Sequence, residues 1–134
     1  MSSIIHQVCD WSKIKYFQKF ECACNCCGLA DIDHHLMELA DEVRQLYGHP
    51  IKVNSGVRCT KHNTSIGGSR DSYHIAMPSR DILGCAMDLA PIERQNLWKL
   101  IQAVYEVFGD KHGVIKYLSF AHVDTREKSY RGKR

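Results

Sequence analysis

Apolar residues recur at helical spacing in two stretches of the chain. Leu36, Leu39, Ala40, Val43 and Leu46 form one stripe, which predicts a helix from Asp33 to Tyr47. Asp31 or Asp33 can cap its start, and Gly48 followed by Pro50 stops it. Leu97, Leu100, Ile101, Val104 and Phe108 form the other stripe, in a helix predicted to start near Pro91 and end at Gly109. Proline suits a first helical position because the N–H it lacks would be unpaired there.

Elsewhere the pattern alternates. Pro50 to Asn54 reads as a strand with Ile51 and Val53 on one face. Cys85 to Ala90 reads as a second, with Asp88 facing opposite to Met87 and Leu89, and Val114 to Tyr117 and Phe120 to Thr125 supply two more. Gly67-Gly68 places residues 65–71 in a loop. Ahead of the first helix, Ile14, Phe17 and Phe20 mark a short helix or extended lead-in packed on the core, and a cysteine-rich loop then runs to Gly28. This order predicts an α+β fold, with helices on one side of a mostly antiparallel sheet. No repeat or linker divides the 134 residues, so the expectation is one domain, with an N-terminal arm over 1–19 and a basic tail over 127–134.

Composition narrows the class. Hydrophobic residues at 44% and charged residues at 25% suit a folded globular domain and exclude a disordered chain. No apolar run approaches the roughly 18 residues of a membrane span, so no membrane partner is expected. The start, MSSIIHQVCDWSK, lacks the basic and apolar regions of a signal peptide, which predicts synthesis in the cytoplasm and exit by another route. Much of the positive excess lies in Arg126 to Arg134 and reads as a solvated tail. A nucleic-acid binder would interleave basic residues with aromatics, so no nucleic-acid partner is expected. No long exposed apolar face is evident, which predicts a monomer.

The seven cysteines are an odd number. Cys22, Cys24, Cys26 and Cys27 cluster, whereas Cys9, Cys59 and Cys85 are scattered. In a cytoplasmic product these are thiols, and a tight cluster can take a soft metal. The spacing is not that of a zinc finger, so small buried thiols are preferred to a structural zinc.

A hydrolytic zinc site needs three protein ligands and one open position. His74, Asp88 and His122 meet that need, two on predicted strands and the first at a loop end. On residue types alone the choice among eight histidines stays open. His6, His34, His35, His49, His62 and His112 read as surface or capping residues.

Several ordered blocks carry a resemblance. They are Ser55-Gly56-Val57-Arg58, Asn63, Gly67-Gly68, Ser72-Tyr73-His74, Gly84-Cys85-Ala86-Met87-Asp88 and His122-Val123-Asp124, with Phe20-Glu21-Cys22 upstream. Over residues 14–127 the chain resembles the zinc D-alanyl-D-alanine carboxypeptidase and L-alanyl-D-glutamate endopeptidase family. That family includes phage endolysins and shares its fold with the hedgehog signalling domain. The resemblance implies one zinc ion per chain, held by His74, Asp88 and His122, and a hedgehog/DD-peptidase-like fold. It implies that Arg58 aims its guanidinium at the polarised carbonyl or a substrate carboxylate, and that Ser72 orients the site or binds substrate. Asp124 then holds a ligand or an arginine such as Arg126; for Arg58 and Asp124 a structural ion pair is the plainer alternative. The function implied is hydrolysis of a D-Ala-D-Ala or L-Ala-D-Glu bond in peptidoglycan stem peptides by a phage or prophage lysis protein acting on the cell wall after release. The alternative is a non-catalytic zinc-binding module or phage structural component of the same fold.

The chain departs from the family pattern twice. Ala76 to Ile82 is an extra loop between the first two ligands, expected at the mouth of the site. The position three residues before His122, where relatives place a catalytic carboxylate, is Ser119, so Asp124, Asp71 or Asp81 must substitute if the chain hydrolyses peptides.

Overall fold

The computed structural model describes residues 6–134; the first five residues of the expected N-terminal arm lie outside it. The elements in chain order are α1 (Lys19–Cys22), α2 (His34–Tyr47), β1 (Ile51–Ser55), α3 (Thr60–Ser65), β2 (Ala86–Pro91), α4 (Leu97–Phe108), β3 (Gly113–Lys116), β4 (Ala121–Asp124) and β5 (Tyr130–Lys133). The strands form one five-stranded sheet in the order β1-β2-β4-β3-β5. All neighbours are antiparallel except β3 and β5. The fold is α+β, as the alternation of patterns predicts.

Strand register decides what each face carries. Met87 lies opposite Val123 and Leu89 opposite Ala121, and these residues join Leu36, Val104 and Phe108 in the hydrophobic core. Each fully buried large side chain there is worth about 1.5–3 kcal/mol of transfer free energy. The alternate residues emerge on the other face, where Asp88 sits directly opposite His122. One side of the sheet is thus spent on stability, leaving the other for chemistry.

Both long helices appear, with shifted edges. Asp33 caps α2 by accepting the His35 N–H, and Gly48 ends it in the left-handed region at φ +80°. Leu46 is exposed instead of completing the stripe, and Met37 and Tyr47 are buried in its stead. Phe17 packs into the core, whereas Phe20 is 75% exposed. Pro91 ends β2 rather than opening a helix, and α4 begins only at Leu97, after a 3-10 turn over Arg94–Asn96. The strand's end accounts for this: Pro91 pairs only with Ile51 of β1 and lies past the last β2–β4 pair at Leu89, so a missing ladder donor costs little there.

Two departures are larger. Thr60–Ser65 is a helix without apolar periodicity, capped by the Cys59 sulfur, which accepts the His62 N–H at 3.3 Å. The basic tail is solvent-exposed, as expected, but it is ordered: residues 130–133 form β5 along β3. Arg131 donates to the carbonyls of Gly109, Lys111 and His112, just past the end of α4. Its guanidinium thus ties β5 to the turn that follows α4.

Candidate active site

Three elements bring the predicted ligands together. Asp88 and His122 are cross-strand partners on β2 and β4. His74 arrives on a segment bridged to Arg58 through the Arg58–Ile75 pair, with Arg58 N–H bonded to the His74 carbonyl at 2.8 Å. One ligand atom from each of the three residues lies within 4.8 Å of the other two, and all three residues are buried. His74 Nε2 is 3.2 Å and His122 Nδ1 3.1 Å from the same oxygen, Asp88 Oδ1.

The outer ring nitrogens are occupied. His74 Nδ1–H donates to the Gly56 carbonyl at 2.8 Å, and His122 Nε2–H donates to Asp124 Oδ2 at 2.7 Å. Carbonyl and carboxylate can only accept, so these bonds place the protons outward and turn a lone pair of each ring toward Asp88. Two imidazoles and a carboxylate, with tautomers set this way, fit zinc and leave a fourth position open.

Asp124 is wholly buried and fully engaged. Besides His122, it accepts from Arg126 Nε at 2.8 Å, Nη2 at 2.6 Å and the backbone N–H at 3.1 Å. Burial alone would raise its pKa, but the bonds from Arg126 and His122 outweigh burial and hold it well below the usual range. Asp88 is depressed in the same way: burial opposes the charge, and His122 and His74 overcome it. Burial lowers His122, whereas Asp124 and Asp88 together bring it above the usual histidine value. Arg126 is in turn sandwiched by Tyr73 and Tyr130, at 4.5 and 4.8 Å from the ring centres. Asp124 therefore takes the holding role, with no lone pair left for proton transfer. The Gly56 carbonyl and the tyrosine pair carry no sequence signal, because their positions depend on the fold.

Arg58 is held by Ser55 Oγ at 3.0 Å and Asn63 Oδ1 at 3.2 Å, and its Nη2 lies 3.6 Å from Asp88. It both forms an ion pair and faces the cleft. Ser72 Oγ accepts the His74 N–H at 3.2 Å, which fixes the turn that presents the histidine. The cleft above Asp88 measures about 480 Å³, and Arg58, Arg126 and Arg134 line it. Among the described residues, the carboxylates lining it are Asp71 and Asp88, and Asp71 is exposed. Ser119 stands exposed in the β3–β4 turn, whereas Asp81 lines a separate hollow with Cys85 and Thr125.

The extra loop does not reach the mouth. Met77 and Ile82 exchange both backbone hydrogen bonds, so residues 77–82 close on themselves away from the cleft lining. His34 and His112 are buried rather than superficial: His34 Nδ1 accepts the Asp10 N–H, and His112 Nδ1–H donates to the Arg126 carbonyl. Among the described residues, no helix is long and apolar enough to cross a membrane.

A family model described as Peptidase M15 matches residues 15–124, from the lead-in through Asp124. No curated protein matches the chain.

Proposed function

This chain belongs to the peptidase M15 family, whose members are zinc-dependent peptidases, and from that premise we propose that it hydrolyses a peptide bond in peptidoglycan stem peptides. The observation that carries the proposal is the convergence of His74 Nε2 and His122 Nδ1 on Asp88 Oδ1 with both outer ring nitrogens already committed. His74, Asp88 and His122 would hold the zinc. Bound zinc supplies Lewis-acid chemistry, polarising a carbonyl and making water a nucleophile near neutral pH.

The remaining work falls to side chains. Arg58, braced by Ser55 and Asn63, offers a preorganised cation where negative charge builds on the scissile carbonyl oxygen. Asp71 takes the proton from the attacking water and returns it to the leaving amine, in place of the carboxylate that Ser119 lacks. Arg134 joins Arg58 as a cation lining the cleft, whereas Arg126 is committed to Asp124; such a wall suits a stem peptide bearing free carboxylates. Cleavage of a D-Ala-D-Ala or L-Ala-D-Glu bond by a phage or prophage lysis protein fits this wall.

The test is mass spectrometry of peptidoglycan fragments incubated with the protein, with and without a zinc chelator. Chelator-sensitive loss of terminal D-alanine identifies a carboxypeptidase, and a free L-alanyl terminus on the glycan side identifies an endopeptidase. Absence of cleavage by fully zinc-loaded protein overturns the proposal in favour of a zinc-binding module, the second reading that Ser119 favours.

A further inference from the structure

We propose that Cys24, Cys26, Cys27 and Cys59 bind a second zinc ion as a closed tetrathiolate, away from the His74–Asp88–His122 site. The sulfurs of all four lie within 4.8 Å of one another. Cys24 Sγ is 3.7 Å from Cys26 Sγ and 3.8 Å from Cys59 Sγ, and Cys26 and Cys59 are 3.2 Å apart. Zinc–sulfur bonds of about 2.3 Å at tetrahedral angles put sulfurs roughly 3.8 Å apart. The cluster already stands near that spacing.

The grouping differs from the one the sequence suggests. Cys22 leaves it for the core, where its thiol meets the Met37 sulfur at 4.0 Å, and Cys59 takes its place from a distant part of the chain. Apolar burial explains Cys9 and Cys22, which are 7% and 0% exposed. It does not explain Cys26 and Cys27, which are exposed yet converge with Cys24 and Cys59. All four are free cysteines, so no disulfide accounts for the convergence either.

Backbone N–H groups point at two of the sulfurs, as they do around metal-bound thiolates. The Cys59 N–H points at Cys24 Sγ at 3.5 Å, and the His62 N–H at Cys59 Sγ at 3.3 Å. Metal uptake displaces the thiol protons to solvent and leaves four sulfur ligands with no open position, which makes the site structural rather than catalytic.

Such an ion would brace the active-site wall. Cys59 directly follows Arg58, and the Val57 N–H bonds to the Cys22 carbonyl at 2.8 Å. Gly56, whose carbonyl fixes His74, lies so close to the Cys22 backbone that a Cβ there would overlap it. The ion would cross-link the 22–28 loop to the segment carrying both Gly56 and Arg58.

The full chain, purified under reducing and anaerobic conditions, is tested by metal analysis and by cobalt(II) exchange. A His74→Ala/His122→Ala variant should keep one metal equivalent and show thiolate-to-cobalt charge-transfer absorption. Cys26→Ser/Cys27→Ser should lose that equivalent and the band while keeping the other ion. Because losing the ion could unfold the chain, Cys27→His, which keeps four donors, should retain the equivalent with a weaker band. The proposal is overturned if the histidine variant holds no metal and all four thiols alkylate freely, or if its mass shows a disulfide. Peptidoglycan cleavage by a protein with a single zinc would then leave the active-site reading intact.

Discussion

Replacing Asp124 by Asn tests whether the tautomer of His122 sets the metal site. Asn matches Asp in shape but offers one acceptor where the carboxylate offers two. The structure asks Asp124 to accept from His122 Nε2, from Arg126 Nε and Nη2, and from the Arg126 backbone N–H. If the amide oxygen serves Arg126 Nε and the backbone, the amide NH2 faces His122 Nε2. His122 must then accept there, which moves its proton to Nδ1, the nitrogen directed at Asp88. That proton competes with zinc. Loss of such an orienting partner costs about 10–100-fold in metal affinity, or roughly 1.4–2.7 kcal/mol.

Arg126→Gln separates this effect from damage to the fold. It removes the guanidinium but leaves the Asp124 carboxylate free to accept from His122. Losing charge-assisted hydrogen bonds from a mostly buried arginine should cost about 1.5–3 kcal/mol of stability, with less than a threefold change in zinc affinity. Zinc affinity is read by competition with a chromophoric chelator, and stability by urea unfolding of the zinc-free protein. Equal losses of zinc affinity in the two variants, or parental affinity in Asp124→Asn, would refute the tautomer argument.

Four further outcomes follow from the geometry. Asp71→Asn should lower kcat by about 10²–10⁴-fold with zinc content unchanged, as read by steady-state hydrolysis of a stem peptide; undiminished kcat would remove Asp71 from proton transfer. Gly56→Ala should push the segment off the Cys22 backbone and weaken zinc binding through His74, measurable by the same competition assay. Burial pushes Cys9 and Cys22 up to about 12 and Cys85 up to about 11, so all three should stay protonated at pH 8 and resist iodoacetamide until the protein unfolds. Mass mapping checks this, and fast native labelling of any of them would contradict the burial. Removing residues 127–134 deletes β5 and the Arg131 bonds, and should cost on the order of 3 kcal/mol in urea unfolding; an unattached tail would cost nothing.

The two helices and four of the five strands were legible because their apolar periods are long enough to outweigh local exceptions. What misled was charge and chemistry at edges. Arg126 and Arg131 read as part of a run of solvated cations, yet each guanidinium meets a partner only the folded chain supplies: Asp124 for the first and the carbonyls after α4 for the second. Thr60–Ser65 has no stripe to detect, since Asn63 is its one buried residue and serves Arg58 rather than the core. Pro91 satisfies the rule for a helix start and the rule for a strand end, and only pairing with Ile51 decides between them.

At the site, periodicity and register explain different parts. His122 and Asp124 are two apart on β4, so alternation alone puts them on one face, and the orienting carboxylate was within reach of the sequence. Asp88 joins them only because β2 pairs with β4 in one register; a shift of one residue would place Met87 opposite His122 and turn Asp88 into the core. Burial of Met87, Leu89, Ala121 and Val123 on the opposite face forbids that shift. The apolar residues that say nothing of catalysis are therefore what hold the two ligands in line, and a polar substitution at Met87 should disturb metal binding without touching the metal.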